Sequence, residues 1–348
     1  MAEIDTLEKE EKVVNRIPDL IKNLHFKYVD EISEINNLIA SLIESDEQII
    51  TEASLHIINS GGKRIRPILT LLCAELFNID TASQKHVLLA AATEFIHTAT
   101  LLHDDVVDAS LLRRFNPTVN SIWGNQEAIL VGDFLFSASF KLMVRAQSFE
   151  ALETLAESSR VIAKGEVAQL STKKQKIFID EKIYFDIITS KTAELFGAAC
   201  KVGGIIAGAN PYQQELLYKF GLSIGIIYQI KDDMMDYYSN TAEIGKNIGD
   251  DFYESKITLP LIYLRNIVSE LDRKYIESVM INNDSKSEVE LNKIIGLMEK
   301  YNIKKLLEET IEKMHQESLV YLDKLESINL DAKSYLRDLA SFVSIRLY

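Results

Sequence analysis

Two long apolar runs of this chain end in the same carboxylate pattern. LLHDDVVD spans 101–108 and YQIKDDMMD spans 228–236, so Asp104, Asp105 and Asp108 are echoed by Asp232, Asp233 and Asp236. On a helix, Asp104 and Asp108 stand one turn apart on one face, with Asp105 beside them. Like charges at that spacing cost stability, so something must offset them. With 21 Asp in 348 residues, chance would produce both copies on the order of 0.003 times per chain. The chain is therefore expected to bring the ends of two long helices face to face around a site that neutralises six carboxylates.

Composition says what surrounds those helices. Glycine is 14 and proline 5 of 348 residues, too few for the many tight turns of an all-β fold. Leu, Ile, Ala, Glu and Lys dominate, which favours helix. The fold class expected is all-α, with residues 1–348 as one domain and 1–14 as a frayed lead-in. Apolar residues three and four apart predict helix over much of 17–60. Further helices are expected over 68–78, 84–109, 125–147, 149–171, 181–190, 191–208 and 212–238, with loops at 113–118 and 240–255. Pro260 opens another helix, and amphipathic helices continue to the end.

A net charge of −14 argues against nucleic-acid binding, which needs a basic surface. It leaves room for an anionic substrate held by a local basic cluster. Cys73 and Cys200 lie in apolar runs and read as buried thiols of a reducing compartment. The acidic N-terminus has no apolar signal region, and no run reaches the ~18 apolar residues of a membrane span. A cytoplasmic protein is the expectation.

Carboxylate oxygens without a His or Cys cluster favour Mg²⁺, or Mn²⁺, over zinc. Mg²⁺ takes phosphate oxygens as co-ligands, so the implied guest is a phosphate or diphosphate ester. Basic residues suit such a guest. In GGKRIRP (61–67), the glycines allow close backbone approach, and Lys63 and Arg66 are three apart and able to converge on one anion. Arg113 and Arg114 follow the first acidic motif, while Lys191, Lys246 and Lys256 lie near the second half of the site. His97, two turns before Asp104, is a candidate phosphate donor.

GGKRIRP, LLHDDVVD with RR and PT after it, GDFLFSASF, KTAELFGAAC, YQIKDDMMDY and GKNIGDD followed by KITLPL occur in that order. Together, across roughly 60–262, they resemble the trans-type isoprenyl diphosphate synthase family, and EFIHTATLLHDDVVD looks most like its long-chain octaprenyl members. The resemblance implies a large helical bundle of the isoprenoid synthase type around a central cavity. It implies three Mg²⁺ ions held by Asp104, Asp105, Asp108, Asp232, Asp233 and Asp236 around an allylic diphosphate of farnesyl or geranylgeranyl type. It assigns Arg113, Lys191, Gln229 and Lys246 to that diphosphate, Lys63, Arg66, His97 and Arg114 to isopentenyl diphosphate, and Thr192 and Lys256 to the site lining. It also implies a homodimer, with 125–147 a candidate interface, and transient membrane contact as the greasy product leaves.

Product length is expected from the residues before the first motif. Side chains lean toward the helix N-terminus, so Thr100, Ala99 and Ile96 should line the wall below the metals. Ala99 and Thr100 are too small to form a floor, which points to a product of about C35–C50 by analogy with long-chain relatives. Phe134, Leu135, Phe136 and Met143 are candidates for a deeper block. Three positions depart from the family pattern: Phe115 and Ser255 stand where Gly is usual, and Tyr228 where Phe is usual. The competing readings are a shorter-chain synthase such as one making geranylgeranyl diphosphate, a non-catalytic subunit of a heterodimeric synthase, a terpene cyclase and a scaffold protein. A cyclase would usually lack GGKRIRP, and non-catalytic subunits tend to lose aspartates that are all present here.

Overall fold

The computed structural model describes residues 19–77, 79–238, 249–283, 285–326 and 329–345. The 1–14 lead-in and Lys246 therefore lie outside the described residues. Helices α1 (Leu20–Lys27), α2 (Val29–Ile43), α3 (Gln48–Asn59) and α4 (Ile65–Glu75) lead to α5 (Lys85–Val107), which ends in the first aspartate motif. A two-residue hairpin follows, β1 (Leu112–Arg113) paired antiparallel with β2 (Asn116–Pro117). Then come α6 (Val119–Trp123), α7 (Asn125–Arg145), α8 (Phe149–Gln175) and α9 (Glu181–Ile188). A π-helical turn, Thr189–Ala193, joins α9 to α10 (Glu194–Ile206). Helix α11 (Pro211–Tyr238) carries the second motif, and α12 (Asp250–Tyr253), α13 (Leu259–Ile267), α14 (Glu270–Glu277), a second π-helical turn (Ser278–Asn282), α15 (Glu288–Lys300), α16 (Ile303–Asp323) and α17 (Leu330–Ile345) complete the order.

Local chemistry explains most boundaries. The region read as helical from 17 to 60 breaks at Tyr28 and again across 44–47. Helix α4 begins at Ile65, three residues earlier than expected, because Pro67 sits within a first turn where a missing N–H costs nothing. Ser148, Asp180, Ser269 and Ser287 each accept a backbone N–H at a helix start. Two expected helices, 181–190 and 191–208, are one path in which the π turn replaces a break.

Helix α5 is buried at every residue from His86 to Ile96, so it runs through the core. It packs on α7, α4 and α2, while α10 packs on α11, α4 and α8, and α11 also packs on α16. Gly221 and Gly203 permit two of these approaches: a Cβ at either would lie 2.4 Å from a carbonyl oxygen, that of Phe196 or of Thr70. Phe95, Phe196, Phe220 and Phe252 are fully buried, each stabilising the fold by roughly 1.5–3 kcal/mol. Cys73 and Cys200 are buried free thiols, as their apolar surroundings suggested. Among the described residues, no helix is long and apolar enough to cross a membrane.

Candidate active site

The C-terminal ends of α5 and α11 meet at one cavity of about 560 Å³. Asp104 and Asp108 reach it from α5, Asp232, Asp233 and Asp236 from α11. Arg113, Lys191, Thr192, Gln229 and Lys256 also line it. A second cavity, about 430 Å³, is lined by Gly61, Gly62, Lys63, Arg66, His97 and Arg114. Arg66, His97, Arg114, Leu101 and Tyr228 line both, so the two cavities adjoin. The four residues assigned by resemblance to isopentenyl diphosphate thus stand together, beside the acidic cavity.

The aspartates are not equivalent. Asp105 is 1% exposed. The Arg113 guanidinium donates to both of its oxygens, from Nε at 3.0 Å to each and from Nη2 to Oδ1 at 2.7 Å. Asp233 is also buried, and accepts from the Tyr184 hydroxyl at 2.6 Å and from Gln229 Nε2 at 2.7 Å. Thr192 Oγ1 donates to Gln229 Oε1 at 2.8 Å, which fixes the Gln229 amide. Asp236 Oδ2 accepts the Asp251 N–H at 3.1 Å, tying the end of α11 to α12.

Two lysines tie the first motif to acids outside both motifs. Lys191 Nζ lies 2.8 Å from Glu166 Oε2, 2.9 Å from Gln169 Oε1 and 3.6 Å from Asp104 Oδ1. Lys256 Nζ lies 2.7 Å from Glu254 and 3.6 Å from both Asp108 and Asp251. Burial works against both ammonium charges, but the facing carboxylates outweigh it and raise their pKa values. Burial, then the charge of Asp251, pushes the Asp233 carboxyl well up. Burial and the Asp104 charge push Glu166 up to about 7 against the pull of Lys191. Burial lowers His97 well below its ordinary value, reinforced by Arg66, Arg114, Arg113 and Arg64. His97 is therefore a neutral donor or acceptor until an anion enters its cavity. Burial also lowers Arg66 to about 10. Its guanidinium stacks 4.3 Å from the Phe196 ring centroid, and its buried Nε has no hydrogen-bond partner.

Of the chain-length candidates, Thr100 lines the acidic cavity, its hydroxyl turned back to the His97 carbonyl at 2.8 Å. Ala99 and Ile96 are buried and line neither cavity. Phe115 and Ser255 have φ of 65° and 61°, left-handed backbone in which glycine is unstrained. Lys286 donates to the Ser255 hydroxyl, an anchor that glycine would lack. Glu166, Gln169, Tyr184 and Asp251 also stand on the cavity wall, beyond the candidate residues that the sequence singles out. The three-residue spacing of Glu166 and Gln169 on one helix was the available signal for that pair. Tyr184 carried none.

The donor set suits Mg²⁺. It is all oxygen, and among the described residues no three acidic, His or Cys side chains are drawn together tightly enough to hold an ion alone. Mg²⁺ needs only one or two carboxylates when waters and phosphate oxygens complete its shell.

The chain matches the family model described as Polyprenyl synthetase over residues 47–298. It is 42% identical to the octaprenyl diphosphate synthase of Escherichia coli (strain K12) over 233 residues, 67% of this chain and 71% of that one. Its fold superposes with a TM-score of 0.87 on a decaprenyl diphosphate synthase from Rhodobacter capsulatus, at 40% identity, covering 94% and 99% of the two chains. The TM-score is also 0.87 for a polyprenyl synthase from Caulobacter crescentus complexed with calcium and isoprenyl diphosphate, at 37% identity and 93% and 97% coverage.

Proposed function

We propose, because this chain belongs to the polyprenyl synthetase family, that its two adjoining cavities hold an allylic diphosphate and isopentenyl diphosphate side by side. The chain is a trans-polyprenyl diphosphate synthase, a prenyltransferase of isoprenoid biosynthesis. The observation that carries the two-substrate reading is where the aspartates stand. Those of both motifs line only one cavity, Lys63 lines only the other, and Arg66, Arg114, His97 and Tyr228 stand where the two join.

Asp104, Asp108, Asp232 and Asp236 hold Mg²⁺, with Mn²⁺ a substitute, while Asp105 and Asp233 are held by protein donors as supports. When bound, the cations neutralise carboxylates and diphosphate together. Lys191, Arg113 and Lys256 place fixed positive charge where the allylic C–O bond breaks and the diphosphate departs. Lys63, Arg66, Arg114 and His97 grip the second diphosphate, so that the isopentenyl double bond faces the allylic C1. Tyr184, Ile187, Ile188 and Met235 line the wall that keeps water from the allylic cation. After the C–C bond forms, the departed diphosphate takes the proton whose loss restores the double bond.

The product is long, about C35–C50, on a farnesyl- or geranylgeranyl-type primer, by analogy with relatives named for octaprenyl and decaprenyl products. Thr100, small for a cavity wall, agrees with that length. The exposed Leu130, Phe140 and Val144 of α7 form an apolar stripe suited to a homodimer interface. Purified protein incubated with Mg²⁺, farnesyl diphosphate and radiolabelled isopentenyl diphosphate, followed by phosphatase and chain-length separation, tests the reading. A ladder ending near C35–C50 supports it, and no extractable labelled polyprenol overturns it.

A further inference from the structure

Lys191 is held from behind as well as from the cavity. An ammonium has three N–H donors. Two of them meet Glu166 Oε2 at 2.8 Å and Gln169 Oε1 at 2.9 Å, both on α8. Asp104 is the next acceptor, at 3.6 Å. The local sequence builds this contact. Lys191 lies in the π-helical turn Thr189–Ala193, and Gly165 lies directly against that turn. A Cβ at 165 would stand 2.8 Å from Ser190 Cβ and 2.9 Å from the Lys191 backbone nitrogen. With no side chain at 165, Glu166 beside it and Gln169 three residues on reach the ammonium from one helix. Glu166 also meets the Asp104 carboxyl, so both acids crowd the one ammonium.

We propose that Glu166 and Gln169 are positioning residues that hold Lys191 Nζ at the edge of Asp104, so that its third N–H meets the diphosphate as it departs. A lysine side chain carries about 2 kcal/mol of rotamer entropy. Two acceptors on a rigid helix remove most of that freedom before substrate arrives, which is the economy of a preorganised site. The inference rests on the prenyl-transfer reading above.

Steady-state kinetics of Glu166→Ala, Glu166→Gln, Gln169→Ala, Lys191→Ala and the Gln169→Ala/Lys191→Ala pair test it, with thermal melts alongside. Gln169→Ala and Glu166→Ala should each lower kcat on the order of tenfold, with KM for isopentenyl diphosphate unchanged, since that substrate uses the other cavity. Glu166→Gln keeps the acceptor and the shape, and should recover most of the loss. Because Gln169 acts through Lys191, the pair should be no slower than Lys191→Ala alone. Multiplying losses in the pair, wild-type kcat in Gln169→Ala, or a Glu166→Gln variant as slow as Glu166→Ala would each overturn the proposal. A wild-type enzyme that makes no polyprenyl diphosphate would overturn the function reading beneath it.

Discussion

Replacing Arg113 separates what holds the site together from what reacts in it. Asp105 is 1% exposed, and Arg113 supplies three hydrogen bonds to its two oxygens, the shortest 2.7 Å. Arg113→Met removes one partner of a buried ion pair, which costs about 3–5 kcal/mol because the carboxylate loses its compensating charge. Unfolding entropy of ~2.1 cal/mol/K per residue gives ~0.7 kcal/mol/K for 348 residues unfolding as one unit. The melting temperature should then fall by about 4–7 °C. Adding Asp105→Asn removes the stranded charge and should return about half of that loss. Activity should not return with it, because Arg113 also lines the cavity and faces Asp104 and Asp232. Calorimetry and kcat/KM for the allylic substrate, measured on the single and double variants, check both halves. A melting temperature within 1 °C of wild type for Arg113→Met, or a double variant with wild-type kcat/KM, would refute the argument.

Phe115 is 67% exposed at φ 65°, so Phe115→Gly relieves left-handed strain at little burial loss and should stabilise by about 0.5–1 kcal/mol, read as a higher denaturant midpoint. Thr100→Phe places a ring on the cavity wall and should shorten the product ladder. Ala99→Phe, at a position 1% exposed, overpacks the core and should instead lower stability by about 1–3 kcal/mol; chain-length analysis and melts of the two variants check this. Glu166 has its pKa raised from 4.5 to about 7, so the folded state holds that proton more tightly than the unfolded chain. The stability this gives is present below about pH 4.5 and is lost as pH rises through 7. In metal-free protein, the melting temperature of wild type relative to Glu166→Gln should therefore drop across that window, by the equivalent of about 2 kcal/mol after solvent screening. A flat difference would contradict it.

Much of the candidate site was legible because its residues form rare patterns. Paired aspartate motifs, a Gly-Gly-Lys turn and arginines after the first motif are costly without a ligand, so their presence carries information. Helix existence was equally readable from apolar spacing, as α5, α7 and α11 show within a few residues. The π turn at Thr189–Ala193 was not readable, since one extra residue in a turn leaves the apolar spacing on either side unchanged. Tyr184 was also hidden. Its role depends on Asp233, 49 positions away, and only packing brings a phenol to a particular carboxylate oxygen.

The all-helical class, the two acidic helix ends and the pointer to a metal-assisted diphosphate site were all present in the primary structure. Those follow from residue type and short-range spacing, which the backbone geometry of a helix converts directly into shared faces. Which of the six aspartates face the cavity was decided by tertiary structure alone. Asp104 and Asp105 are neighbours of the same type, yet one lines the cavity and the other is buried under Arg113. The reason is that successive side chains on a helix point about 100° apart, and which direction is cavity and which is core depends on helices far away in the chain.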